Sequence, residues 1–491
     1  MYILDETIAL RSWQRVPYAY YVYGVREARG LSREQFALLS RCDGRQELEE
    51  TPLLRELEAA GLCRRCEAGE SLTDWQKPRA CDNRYFPHIN WAITGKCNFN
   101  CLHCFMASDN APEMAEFTWE QCLDLLDECE RCGVQTVTLT GGEPMLHPRF
   151  MDLVRECAWR RLYISEVNTN GSFMTAGLLE EWKFLGMDTE FKISYDGVGH
   201  HDWLRNVPGA EEKAIRAIRL CKEHGFRVRV QTNVHRGNLD VMFDTVKLLD
   251  SLGVEEVRII RTTETPRWDR NGKGLCLEIG EYYDEMLKLM GRLVKAGLSI
   301  RVDVWQFVYY HPQTKRYYFH PVVEECGRYR DSIPLCRGVR GTIAVAHTGE
   351  VYPCNQMSGT LAKWGIRLGN VKERPLHELL SQGEYLDLVT TPVSAVKEKN
   401  AVCRECPYWP ACMGGCRAIA TALSRDMLHY DPSKCLFFKG GYMKKIDDAF
   451  AAADPAYRCG NDTGEMNRAG DPKGLAELGG KLLLRRDGHD H

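Results

Sequence analysis

The sequence has no run of 18 consecutive apolar residues, so no membrane span is expected. Its opening, Met1-Tyr2-Ile3-Leu4-Asp5-Glu6, lacks the basic segment and apolar stretch of a secretion signal. A soluble, cytoplasmic protein is expected. Neither sign of charge prevails, with 64 Lys and Arg against 68 Asp and Glu. That balance excludes the strong field that nucleic acid or an anionic membrane would need. No repeat of solenoid period is found. No side chain stands out as a general acid or base, so the catalytic residues are unassigned. Tyr195, Asp196, Asp202 and Glu264 near strand ends are the candidates.

Cysteine is abundant, with 22 in 491 residues. A secreted disulfide scaffold would be short and poor in core. This chain is long, and its 44% hydrophobic residues can bury a sizeable core. Clustered cysteines in such a chain are read as metal ligands.

The length suggests about three domains. Residues 1–80 form a small module, with strands in Ala19–Tyr23 and helices over Ser32–Arg41 and Pro52–Ala60. Residues 71–85 read as a polar linker. Residues 86–300 alternate strand and helix, with strands Ile89–Thr94, Gln135–Thr140, Leu162–Asn168, Glu190–Tyr195, Arg227–Asn233 and Glu256–Arg261. Six such units predict a parallel sheet with right-handed crossovers, an α/β fold closing as a partial (β/α)6 barrel. Ligands of such a sheet sit at the carboxyl ends of its strands. Residues 301–335 read as a helical bridge, 336–450 as a Cys-rich domain and 451–491 as a flexible tail.

Two motifs carry chemistry. Cys97, Cys101 and Cys104 follow the first strand at spacing C-x3-C-x2-C. Thiolates favour iron–sulfur clusters, and three on a four-iron cubane leave one iron open to a further ligand. Zinc is the alternative, with His103 as a fourth ligand. Gly141-Gly142-Glu143-Pro144 follows the second strand, where glycines admit close backbone approach and Glu143 can accept from an amino group.

Together the motifs resemble the radical S-adenosylmethionine (SAM) superfamily. The resemblance implies a 4Fe–4S cluster on Cys97, Cys101 and Cys104, with SAM on its open iron. It places Gly141, Gly142 and Glu143 at the SAM amino group, and Asn168, Ser194 and Arg205 as further SAM contacts. His103 stands where the family usually has an aromatic residue. The implied chemistry is one-electron cleavage of SAM, giving a 5′-deoxyadenosyl radical that abstracts hydrogen. The electron donor implied is a flavodoxin or ferredoxin.

Cys336, Gly349, Cys354, Cys403, Cys406, Cys412, Cys416 and Cys435 resemble the SPASM domain, which implies two auxiliary 4Fe–4S clusters and three in all. The family assignment gives one cluster Cys403, Cys406, Cys412 and Cys435, and the other Cys336, Cys354 and Cys416. Cys326 closes that second site, or its iron is open. Cys129 and Cys132 read as packed thiols, and Cys63 and Cys66 form a C-x2-C without a partner pair. The first module, through Cys42-Asp43-Gly44 and Leu53–Leu62, resembles the winged-helix peptide-recognition element of ribosomal peptide maturation, like PqqD. Docking or dimerisation is the alternative. Residues 31–70 hold nine acidic and six basic residues, the wrong sign for DNA. The resemblances imply a maturase of a ribosomally made precursor peptide, held by its leader and crosslinked through a thioether or carbon–carbon bond. A sulfatase-maturase-like or cofactor-biosynthesis enzyme is the alternative.

Overall fold

The computed structural model describes residues 1–104, 115–263, 266–272, 274–320, 331–336 and 341–461. The expectations for Glu264, Cys326 and the tail beyond 461 lie outside these residues.

The first module contains β1 (Tyr2–Leu4), β2 (Ile8–Gln14), β3 (Val16–Val22), β4 (Arg29–Gly30), α1 (Arg33–Leu39), α2 (Pro52–Ala59), β5 (Cys63–Arg65) and β6 (Arg79–Arg84). Ser32 and Gln35 form a capping box that starts α1, and Thr51 with Pro52 starts α2. Leu39, Leu54 and Leu57 from the two helices pack on Ile8 and Leu10 of β2. The stretch 71–85, expected as a linker, is built into the module instead: β6 pairs parallel with β2. The cause is Arg11, whose buried guanidinium donates to the carbonyls of Trp75 (2.7 Å) and Lys77 (3.0 Å). A buried charge must find such acceptors, so it draws the segment in.

The core sheet follows with β7 (His88–Thr94), β8 (Thr136–Gly141), β9 (Tyr163–Thr169), β10 (Glu190–Ser194), β11 (Arg227–Val234), β12 (Glu256–Arg261) and β13 (Arg301–Val304). All seven are parallel and pair in chain order. The helix α3 (Trp119–Cys132) returns the chain from β7 to β8, capped by Thr118 and ended by Gly133 at φ 69°. The module docks here: Trp13 Nε1 donates to the Cys132 carbonyl (2.8 Å) and the Tyr21 hydroxyl to that of Gly133 (2.9 Å).

Residues 301–320 correct the expected helical bridge. They are β13, then β14 (Val308–His311) and β15 (Arg316–Phe319) in an antiparallel meander. Val302, Val304, Val308 and Tyr310 are buried, as β-branched and aromatic residues on a pleated surface are. The chain continues with β16 (Thr342–Val345), β17 (Val351–Tyr352) and β18 (Arg458–Cys459). β16 pairs parallel with β7, and β18 with β15, giving a linear order of 12 strands rather than six. The helix Tyr442–Ala453 and β18 also place structure where the tail was expected to begin. No described helix is long and apolar enough to cross a membrane.

Side chains alternate across the pleat. One face of β10 to β13 presents Phe191, Ile193, Val228, Val230, Val257, Ile259 and Val302 to the helices, all fully buried. The other presents Glu190, Lys192, Arg229, Glu256, Arg258 and Asp303. Parallel strands covered on both faces are usually apolar throughout. Here the second face is a polar wall, in which Lys192 pairs with Glu166 (2.8 Å), Arg258 with Asp303 (2.6 Å), and Arg229 with Glu256 (3.0 Å) and Glu190 (3.2 Å).

Candidate functional site

The first thiol group lies where β7 ends. Cys97, Cys101 and Cys104 interact electrostatically with one another, and burial pushes the Cys97 thiol up to about 12. Burial likewise raises Cys101. The Phe99 amide donates to Cys97 Sγ (3.4 Å) and Arg205 approaches Cys101 Sγ (3.7 Å). Arg205 is held there by Asp196, which accepts from its Nε at 2.7 Å. Asp196 also meets His201 Nδ1 (3.1 Å) and accepts from the Asn233 amide (2.9 Å). Although burial opposes it, Arg205 and His201 hold Asp196 well below the usual carboxylate range. Tyr195, named with Asp196 as a candidate, points away, its hydroxyl donating to Glu211 (2.8 Å). Asp202 is spent on the Gly209 and Glu211 amides.

The Gly-Gly-Glu-Pro segment sits beside this loop. Gly141 has φ 152°, and a Cβ there would stand 2.3 Å from the Thr94 carbonyl oxygen. A Cβ on Gly142 would meet the Lys96 carbonyl oxygen at 2.2 Å. Only glycine lets this turn close against the end of β7. Glu143 is fully buried, and burial pushes its carboxyl up to about 7. It accepts from the Thr169 hydroxyl and the Asn170 amide, each at 2.8 Å. Asn168, on the next strand, has a buried Oδ1 without a hydrogen-bond partner among the described residues. Ser194 ends β10 on the same polar face, half-buried. An orphaned acceptor and a raised carboxyl suit a ligand that brings N–H donors.

Two further thiol groups form in the C-terminal region. Cys336, Cys354 and Cys416 interact with one another, and burial pushes Cys354 up to about 12. Cys403, Cys406, Cys412 and Cys435 form the other set, with Cys403 pushed up to about 11 and Cys412 to about 12 by burial. Electrostatic influence thus links the described thiols within each of these groups. Among the described residues no three such side chains ring a single metal ion. The remaining thiols go elsewhere: Cys129 and Cys132 pack in the main core, and Cys42 lies against Cys63 in the first module.

The sequence reading named Arg205 and Asp196 but not His201, which joins them, and the polar wall escaped it. The signal for the wall was present in the charges two apart at Glu190 and Lys192, Arg227 and Arg229, Glu256 and Arg258, and Arg301 and Asp303.

Residues 91–249 match the family described as the radical SAM superfamily, and residues 336–407 match SPASM, an iron–sulfur cluster-binding domain. An AdoMet-dependent heme synthase of Methanosarcina barkeri is 27% identical over 357 residues, covering 72% of this chain and 97% of that protein. The mycofactocin maturase MftC of Mycobacterium tuberculosis is 24% identical, covering 67% of this chain and 78% of that one. Among solved structures, Streptococcus suis SuiB bound to its precursor peptide SuiA has a TM-score of 0.59 at 13% identity, covering 89% of this chain and all of that one.

Proposed function

We propose that this enzyme, which carries radical SAM and SPASM domains, matures a ribosomally made precursor peptide whose leader docks on residues 1–80. The observation that carries the reading is the first module. The likeness to peptide-bound SuiB leaves only 11% of this chain uncovered, too little to omit that module. The heme synthase of Methanosarcina barkeri covers just 72%. A peptide added as a strand would engage a sheet edge of the module.

In this reading Cys97, Cys101 and Cys104 hold a 4Fe–4S cluster, and the two other thiol sets hold auxiliary clusters, three in all. Cys326 closes the set of Cys336, Cys354 and Cys416. When bound, the cluster and SAM supply a 5′-deoxyadenosyl radical for hydrogen abstraction. Glu143 accepts from the SAM amino group, Asn168 and Ser194 face the remainder of the molecule, and Gly141 and Gly142 let it approach the backbone. Arg205, turned toward Cys101 and Asp196, orients the cluster loop as well as facing the SAM carboxylate. Burial of the site excludes water from the radical. A flavodoxin or ferredoxin supplies the electron, and the product is a thioether or carbon–carbon crosslink.

The heme synthases support a second reading, a tetrapyrrole-modifying enzyme. Propionate groups would ask the polar face of the sheet for spare cations. Lys192, Arg229 and Arg258 are instead paired with carboxylates, which favours the peptide. The test is anaerobic turnover with short candidate precursor peptides encoded near this gene, each with and without its leader. Release of 5′-deoxyadenosine and a hydrogen-depleted peptide, only when the leader is present, is expected. Turnover of a porphyrin and not of the peptide would favour the second reading.

A further inference from the structure

A lysine is buried between the two C-terminal thiol sets. Lys434 is 5% exposed and precedes Cys435 directly in the helix Pro432–Lys439. Its charge acts on Cys412 of one set, on Cys416 and Cys336 of the other, and on Asp431. The stem crosses Gly415, between Cys412 and Cys416: a Cβ there would lie 2.5 Å from Lys434 Cγ and from Asp431 Cβ. Gly415, at φ 83°, thus leaves room for the lysine stem beside the backbone that joins Cys412 to Cys416.

The position is costly for a cation. Burial opposes the charge, and so does the helix dipole, because Lys434 lies in the first turn. Lys434 does not act alone: Arg417, also buried, bears on Cys416, Cys336 and Cys412. Arg417 donates to the carbonyls of Gly414, Gly415, Met427 and His429. Asp431 caps the helix through the Ser433 amide (2.9 Å) and accepts from the Cys416 amide (3.0 Å). A cubane held by thiolates carries net negative charge, and a cation beside it favours its reduced form. An ammonium between two such groups acts on both.

We propose that Lys434 is a positioning cation between the two auxiliary clusters, raising the reduction potential of each and so matching them for electron passage. The inference rests on the reading that both thiol sets hold clusters. The test is potentiometric electron paramagnetic resonance on anaerobically reconstituted full-length protein, with iron and sulfide counted. Lys434→Met is expected to retain its iron and to lower the reduced-to-oxidised ratio of both auxiliary clusters about tenfold at fixed potential, or about 59 mV for one electron. Lys434→Arg is expected to stay within about twofold of the parent, because it keeps the charge. The cluster on Cys97, Cys101 and Cys104 should not shift in either variant. Unchanged potentials in Lys434→Met, equal shifts in both variants, a shift confined to one auxiliary cluster, or loss of iron from both variants would each overturn the role. Absence of auxiliary signals from the parent protein would instead overturn the cluster reading itself.

Discussion

Glu143 should release a proton when SAM binds. Its carboxyl is fully buried and raised to about 7, with burial as the cause. At that value roughly nine of ten molecules are protonated at pH 6 and roughly one of ten at pH 8. An N–H donor from the SAM amino group favours the carboxylate, so binding pulls the value back down. The sign follows. Below about pH 7 the proton must leave before the pair forms, and affinity falls by up to about tenfold for each further unit. Other groups also exchange protons on binding, so Glu143→Gln is the control. Calorimetric titration of SAM into the iron-loaded protein, in buffers of different ionisation enthalpy, counts the protons. The parent should release about 0.9 more than the variant at pH 6 and about 0.1 more at pH 8. The variant should bind about 10–150-fold more weakly, for the loss of one hydrogen bond to a charged group. Equal proton release by both proteins at pH 6 would refute the placement of SAM against Glu143.

Three further outcomes are expected. Gly133→Ala puts a Cβ 2.8 Å from the Trp13 ring at a positive φ, so thermal unfolding should show a loss of about 2–5 kcal/mol. An unchanged unfolding temperature would mean the first module does not rest on α3. Arg258→Met takes the guanidinium from the buried Asp303 carboxylate, which keeps His320 Nδ1 at 3.3 Å, and should cost up to about 3–5 kcal/mol by denaturant titration, most of it recovered by adding Asp303→Leu. No recovery would count against a closed ion pair. Cys326→Ala should lower the iron content and alter the auxiliary-cluster spectrum, and a full iron count with full activity would leave that cluster open on one iron.

Much of the core was legible because its signals are local. Six strands fall within one or two residues of expectation, since each β-branched run is bounded by a turn or a cap. The cysteine spacings likewise point to the radical SAM and SPASM matches before any fold is known. What escaped depends on distant partners. Nothing near residues 71–85 says that Arg11 will bind that stretch. β13 follows the long helix Ile279–Ala296 with few residues between, and little in the local sequence marks the change from helix to strand there. The polar wall was visible as paired charges, yet its orientation needs the register between strands, which only the sheet supplies.

The pairing of β16 with β7 ties the two ends of the catalytic region into one sheet. About 250 residues separate them, which a ribosome adds in roughly 10–50 s. Through that interval the outer edge of β7 is unpaired, just before the loop that carries Cys97, and is open to strand-adding aggregation. Iron delivered to Cys97, Cys101 and Cys104 before β16 emerges would thus meet an unfinished platform. Lasting occupancy is therefore expected only after the C-terminal region has been translated, making cluster loading a late event in the life of the chain.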